Sequence, residues 1–371
     1  MWNDYLDEAA DSLKYGNVEA TVVVLPDFFI DRFVTLNCEV DVFYEVIRNV
    51  AARKGGSIDG ISQKDFRGGN AANTASALAS LGVNVTPIIC TDKLGFKLIK
   101  HYLRSPRVDL SHVKICERSS ITTALEFKID NELANVMLRD LGSLEYFGPQ
   151  NLDASDFEAI GEADYVCIFN WAGTRKHGTE LAERVISHAK TRGKARTYCD
   201  TADPTPNKEE AQSLIDRVLK SPFLDILSLN ENEAVFYASM LNQKIGENKA
   251  KLPLEELAKA SAKTLSTYLK ARVDLHAASF SASFTNKGEI VVPAFDVPVL
   301  RATGAGDTWN AGNILGDLLG LSDGARLMLA NAIAAYYISN SEGRHPTRRE
   351  LCRFCNKLKG KWKTKTDKNK Q

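Results

Sequence analysis

Arg301-Ala302-Thr303-Gly304-Ala305-Gly306-Asp307-Thr308-Trp309-Asn310-Ala311-Gly312 is the stretch whose reading decides the fold. Small residues from Gly304 to Gly306 permit a tight backbone turn. Beyond it Ala311, Ile314, Leu315, Leu318 and Leu319 recur at the spacing of one helical face. A helix is therefore expected to begin at or just after Asp307. A glycine-flanked helix N-terminus presents unpaired N–H groups and the positive end of the macrodipole, which suits a phosphate or a developing oxyanion. A carboxylate beside such an anion hole is not needed to neutralise it. Taken alone, Asp307 reads equally well as a capping residue worth about 1 kcal/mol or as a reactive group.

Outward from this turn, strand-like and helix-like runs alternate. Thr21–Leu25, Tyr165–Phe169, 196–199, 224–229 and 276–284 read as strands; 180–191, 208–219, 253–270, 324–340 and 347–358 read as helices. Such alternation implies an α/β fold with a mostly parallel sheet and helices on both faces. Open parallel sheets bind ligands beyond the carboxyl ends of their strands. Asp31, Asn170, Asp200, Asn230 and Glu233 follow strands and are the polar candidates. Upstream, Gly68-Gly69-Asn70-Ala71-Ala72-Asn73-Thr74-Ala75 leads into a helix over 71–81 that Asn70 is expected to cap and Gly82 to end, with a strand over 83–90.

Two segments fall outside the alternation. Residues 34–64 show no clean period and end in Gly55, Gly56 and Gly60, while 122–141 holds strand-like runs around an Asp130-Asn131 turn. Residues 1–20 are acidic and weakly helical, an expected N-terminal extension. Residues 359–371, with Lys361, Lys363, Lys365, Lys368 and Lys370, read as a disordered, solubilising tail rather than a nucleic-acid arm.

Composition excludes several function classes. The 371-residue chain carries 47 basic and 47 acidic residues, so it has no global field for nucleic acid or an anionic membrane. No apolar run approaches the ~18–20 residues of a membrane-spanning helix, and the start lacks a basic-then-apolar leader; a cytoplasmic protein is expected. The seven cysteines include a Cys352/Cys355 pair with no second pair to complete a zinc site. Gly173 to Gly178 has P-loop spacing without the lysine and hydroxyl residue. Trp309 stands where a dinucleotide fingerprint needs its third glycine, and no HExxH occurs.

The turn at 303–308, with Asn310-Ala311-Gly312, resembles the C-terminal signature of the PfkB carbohydrate kinases, the ribokinase-like family. Gly68 to Ala75, followed by Leu78 and Leu81-Gly82, resembles the family's N-terminal signature. The resemblance spans residues 21–358, the expected kinase domain, and implies a doubly wound sheet with a small β-sheet lid built from 34–64 and 122–141. It implies an ATP-dependent phosphotransferase acting on a hydroxyl of a sugar or sugar-like substrate. Asp307 would be the base and the amides of Gly304, Ala305 and Gly306 the anion hole. Asp31, Gly69, Asn73 and Asn170 would meet the acceptor. Asn230, Ser281, Thr303, Gly304, Gly306 and Asn331 would meet the nucleotide. In the NxxE motif of Asn230 and Glu233, the glutamate would order a water of Mg²⁺, an ion that keeps most of its hydration.

Two departures from the family pattern stand out. Arg301-Ala302 replaces an Asp-Thr whose carboxylate helps hold a monovalent cation; the guanidinium would take that charge position, so potassium-independent activity is expected. Ser279 to Phe284 replaces a glycine-containing nucleotide loop, with serine hydroxyls expected in place of some backbone contacts. A nucleoside acceptor, a sugar phosphate met by Lys128 or Arg139, ADP as donor, and a catalytically silent sugar- or nucleotide-binding regulator all remain open. The family resemblance also implies a homodimer paired through the lids.

Overall fold

Val22, Val23, Val24 and Leu25 are wholly buried, as a strand covered on both faces requires. That strand lies near one edge of the main sheet in a computed structural model, which describes residues 1–130, 132–247, 251–301 and 303–362. The strands in chain order are β1 (Thr21–Leu25), β2 (Phe29–Glu39), β3 (Ser62–Gly68), β4 (Asn84–Pro87), β5 (Cys90–Thr91), β6 (Lys114–Ile115), β7 (Ser120–Ile129), β8 (Glu132–Asp140), β9 (Tyr165–Phe169), β10 (Arg196–Asp200), β11 (Ile226–Leu229), β12 (Arg272–His276), β13 (Phe280–Thr285) and β14 (Gly288–Pro293). The α-helices are α1 (Trp2–Tyr15), α2 (Val40–Ala52), α3 (Asn70–Ser80), α4 (Lys93–Tyr102), α5 (Ala154–Glu162), α6 (Gly178–Arg192), α7 (Ala211–Leu214), α8 (Glu231–Leu241), α9 (Gln243–Glu247), α10 (Leu254–Tyr268), α11 (Ala305–Leu318), α12 (Asp323–Ile338) and α13 (Arg348–Leu358).

Eight strands form the main sheet in the order β14-β13-β12-β11-β10-β9-β1-β4. From β4 to β12 all neighbours are parallel, while β13 and β14 add an antiparallel edge. Apolar clusters lie on each face of this sheet under the helices, the expected doubly wound, ribokinase-like architecture. A second sheet, β3-β2-β7-β8, forms the lid. No helix among the described residues is long and apolar enough to cross a membrane.

Several local expectations change. The strand expected over 276–284 is two, β12 and β13, because the chain reverses at 277–279 and the Ala277 N–H bonds to the Phe280 carbonyl at 2.9 Å. Short apolar runs on both arms hid the turn. Residues 34–64 contain α2, whose apolar positions Val40, Phe43, Ile47 and Val50 do follow a helical period. None of its residues is fully buried, although Val40 and Phe43 rest on Val34, Leu36 and Phe127. Gly69, at φ 93°, is the N-cap of α3, and Asn70 is its first residue rather than its cap. Residues 2–15 are integral to the fold, since Leu6, Ala9 and Leu13 are buried in the cluster they share with α12 and α13. Of the basic tail, residues 363–371 lie outside the described residues, and Trp362 bridges to Phe295.

Candidate active site

Parallel strands leave their carboxyl ends on one side of the sheet. Asp27, Asn170, Asp200, Asn230 and His276 all sit at or just beyond those ends, on β1, β9, β10, β11 and β12. The N-terminus of α11 arrives at the same place. Gly304 takes φ 88°, and a Cβ there would lie 2.7 Å from the Tyr337 hydroxyl, so the turn requires glycine. The helix starts at Ala305, two residues earlier than expected, because left-handed Gly304 already completes the turn and serves as N-cap. Asp307 is thus its third residue, and the first N–H groups of α11 have no intrahelical partner.

Asp307 is buried and held from the side. Asn73 Nδ2 donates to its Oδ2 at 2.9 Å, and Arg67 Nε donates to Asn73 Oδ1 at 2.9 Å. Asn73 comes from the first turn of α3, which is anchored by Asp27: the wholly buried carboxylate accepts from the N–H groups of Asn70 at 2.9 Å and Ala71 at 2.8 Å. A Cβ on Gly69 would lie 2.9 Å from the Asp27 carbonyl oxygen, which fixes glycine there. Asn170, in the left-handed conformation, donates to Asp27 Oδ2 at 2.7 Å and accepts from Gly173 N–H. Asp31 sits within lid strand β2 rather than in a loop after β1, opposite Thr122 of β7, whose hydroxyl it bonds.

Carboxylates crowd this region, and among the described residues Asp27, Asp31, Asp200, Glu233 and Asp307 form no salt bridge. Burial, opposed by the Asn73 hydrogen bond and reinforced by Asp200, Asp27 and Asp31, raises Asp307 to about 7. Burial likewise raises Asp31 to about 6 against the Thr122 hydroxyl, Arg301 and Arg139, and pushes Asp27 up. Glu233 is driven well above its usual range by burial and by Asp200.

The NxxE pair has a structural basis of its own. Asn230 caps α8 by accepting from Glu233 N–H at 3.0 Å, and Glu233 returns both oxygens to Asn230, at 2.9 Å and 2.7 Å. Among the described residues no group of three or more His, Cys, Asp or Glu side chains is arranged to hold a metal. The fit to Mg²⁺ is therefore the partial one this ion tolerates, in which Asp200 and Glu233 face the cavity as one or two carboxylates and water or phosphate oxygens complete the shell.

Two cavities meet at the turn. One, of about 290 Å³, is lined on the lid side by Phe29, Asp31, Phe33, Thr122 and Arg139 and on the sheet side by Gly69, Asn73, Asn170, Asp200, Glu233, Thr303 and Asp307. The other, of about 370 Å³, has mostly apolar walls of Ala277, Ala278, Phe295, Ala334, Ala335 and Ile338, with Asn331 among its lining. Ser281 lines neither. It is buried beside Trp309, whose Nε1 donates to Ser281 Oγ at 3.0 Å and to Asn331 Oδ1 at 2.9 Å, while Ser281 Oγ donates to Asn331 at 2.5 Å. The hydroxyl expected at the nucleotide thus braces the helix that carries Asp307. Arg301 lies over Phe66, 4.5 Å from the ring centroid, with Phe33 and Tyr337 also beneath its guanidinium.

Sequence reasoning passed over Arg67 and His276. Arg67 lies just before the glycine pair, and His276 ends a strand, the position from which the other candidates were drawn; that signal was available.

No curated protein sequence matches the chain. Among solved structures, ribokinase of Arabidopsis thaliana complexed with ribose and ATP superposes with a TM-score of 0.68 at 20% identity, covering 91% of this chain and 98% of that one. Adenosine kinase from Sinorhizobium meliloti gives 0.66 at 17% identity, with 91% and 98% covered. A putative ribokinase II from E. coli in complex with ATP and Mg²⁺ gives 0.67 at 16%, with 91% and 99% covered. These identities carry the fold alone. Residues 35–349 match the model of the pfkB family carbohydrate kinases, and the chain, with both of that family's signatures meeting at Asp307, belongs to it.

Proposed function

We propose that the protein transfers the γ-phosphoryl group of ATP to a hydroxyl of a small sugar-like acceptor. The observation that carries this reading is the meeting of two cavities at the glycine turn before α11, with the buried Asp307 carboxylate lining one of them. Asp307 takes the acceptor hydroxyl's proton as its oxygen attacks the γ-phosphorus in line. Its raised proton affinity suits a base working near neutral pH. The N–H groups of residues 304–306 receive the charge that develops on the phosphoryl oxygens, already aimed and so without reorganisation. Asn73, fixed by Arg67, holds the carboxylate in place, and Asp31, Asn170 and the Gly69 backbone orient the acceptor's hydroxyls. Asp200 and Glu233, which line the same cavity, would hold a nucleotide-borne Mg²⁺, and that ion would supply electrostatic neutralisation of the phosphates.

The acceptor cavity's volume, about 290 Å³, sits at the small end of ligand sites, which favours a sugar-sized acceptor. Phe29 and Phe33 beside it keep a nucleoside as the second reading, because their rings offer a stacking surface for a base. With Arg301 already supplying positive charge near the turn, activity is expected to be the same in sodium and potassium buffers.

The test is a coupled nucleotide-consumption assay with Mg²⁺, screening sugars, nucleosides and sugar phosphates against ATP and ADP, with Asp307→Asn as control. Turnover on one acceptor that vanishes in the control supports the reading. A variant that keeps most of its activity removes Asp307 from the chemistry. No turnover, with a sugar or nucleotide still raising Tm, would leave a silent binding protein.

A further inference from the structure

Among the described residues three line both cavities: Asn230, His276 and Gly306. A phosphoryl group passing from one cavity to the other moves between them. Gly306 offers only backbone. The Asn230 side chain is engaged with Glu233 through both of its polar atoms, at 3.0 Å and 2.7 Å. His276 is the last residue of β12; its imidazole makes no hydrogen bond among the described residues, and its Nε2 is shut off from solvent without a partner. Buried polar groups are almost always satisfied, so an unengaged ring at this junction calls for a ligand.

The ring's orientation fits that role. A Cβ placed on Gly306 would come 3.3 Å from His276 Cε1 and 3.9 Å from Nε2, so the imidazole edge borders the anion turn. Trp309 packs beside the ring, with centroids 5.0 Å apart and planes tilted 38°. Burial holds the imidazole below its ordinary value against the pull of Asp200, Glu231 and Asp274, so near neutral pH it carries a single N–H.

Building on the kinase reading, we propose that His276 is a catalytic residue whose imidazole N–H donates a hydrogen bond to the phosphoryl oxygens where the two cavities meet, adding a side-chain donor to the backbone amides of the turn. Loss of one donor of this kind typically lowers turnover by about 10²–10³-fold.

The experiment compares wild type, His276→Phe and His276→Gln. Phe keeps a ring against Trp309 and removes both nitrogens, whereas Gln restores a donor. Calorimetric titration with AMP and with a non-hydrolysable ATP analogue, each with Mg²⁺, separates contacts to the outer phosphates from the rest of the nucleotide. In His276→Phe, AMP binding is expected to stay at the wild-type level, while the analogue weakens about tenfold, the equivalent of one lost hydrogen bond. The kcat falls about 100-fold at unchanged acceptor KM, and His276→Gln recovers part of both losses. If the ring is only packing, His276→Phe keeps the wild-type ratio of analogue to AMP affinity and the wild-type kcat, or loses both ligands and Tm together; either result overturns the proposal. A wild-type protein that binds neither nucleotide overturns the kinase reading and this proposal with it, before any substitution is made.

Discussion

Helix α11 carries a buried aspartate in its first turn and a partly buried one near its last, and the two behave oppositely. Asp307 at the N-terminus is raised to about 7, by burial first and then by neighbouring carboxylates that outweigh Asn73. Burial also acts on Asp317 near the C-terminus, but Arg272, Arg326 and Arg196 overcome it and hold that carboxyl below its usual range. Asp317 accepts from Arg272 at 2.7 Å and from the Tyr165 hydroxyl at 2.6 Å, and Arg196 lies 3.1 Å away. Wholly buried Asp274 joins the same group, accepting from Arg272, Arg326, Asn313 and Ser283. Isolated from tertiary context, the helix dipole would favour charge on Asp307 and disfavour it on Asp317. Tertiary surroundings reverse that order. One end is a balanced ionic cluster that holds the helix to β12, and the other is a group of carboxylates whose burial and mutual repulsion raise their proton affinity.

The contrast is sharpest in activity. Asp307→Asn should lower turnover by about 10²–10⁴-fold, the usual contribution of a general base, with the fold retained by circular dichroism. The balanced end should show the reverse pattern. Arg326→Met removes one partner from a buried group and should cost about 3–5 kcal/mol in urea unfolding. An intact Cm in that variant would show the cluster to be idle. Gly304→Ala forces a Cβ into the Tyr337 hydroxyl at a positive φ, and about 1–3 kcal/mol of strain is expected, with reduced turnover, from the same two assays.

Smaller effects follow from the proton affinities. Because the proposed base, Asp307, would have to be deprotonated, kcat/KM should rise with pH along an acid limb centred near 7, and a limb near 4 would mean that the carboxylate is not desolvated in the free protein. The stability profile has the opposite sign. A native carboxyl titrating near 7 against an unfolded value near 3.8 keeps its proton longer in the fold, so its contribution is full below about 4 and is lost as pH rises through 7. Asp307→Asn should therefore raise Tm at pH 8 by about 2–4 °C, whereas Asp317→Asn should lower it, since a depressed carboxyl stabilises above its unfolded value.

Much of this site was readable in one dimension. The glycines of the two signatures, the asparagine of the first and the aspartate of the second report backbone conformations and functional groups that must sit at fixed short spacings, and Asp307, Gly304, Gly306, Gly69 and Asn73 all meet in the structure. The strand-helix alternation was equally local, since burial on both faces leaves continuous apolar runs such as Val22 to Leu25. Readings failed where a short-range pattern had two solutions. Ser281 lies in a run that reads as strand and is one, β13, yet nothing in that run of serines says that its hydroxyl turns toward Trp309 and Asn331. The reversal after His276 and the half-exposed helix α2 were missed for the same reason.

The sequence by itself determined the fold class, the family and the turn on which the proposed chemistry rests, because each is written in residue types at close spacing. Only the tertiary structure decided that Arg67 steadies Asn73 against Asp307, that Asp31 descends from the lid, and that two aspartates of one helix titrate in opposite directions. Those outcomes depend on burial and on charges brought together from distant parts of the chain, and neither quantity exists until the chain is folded.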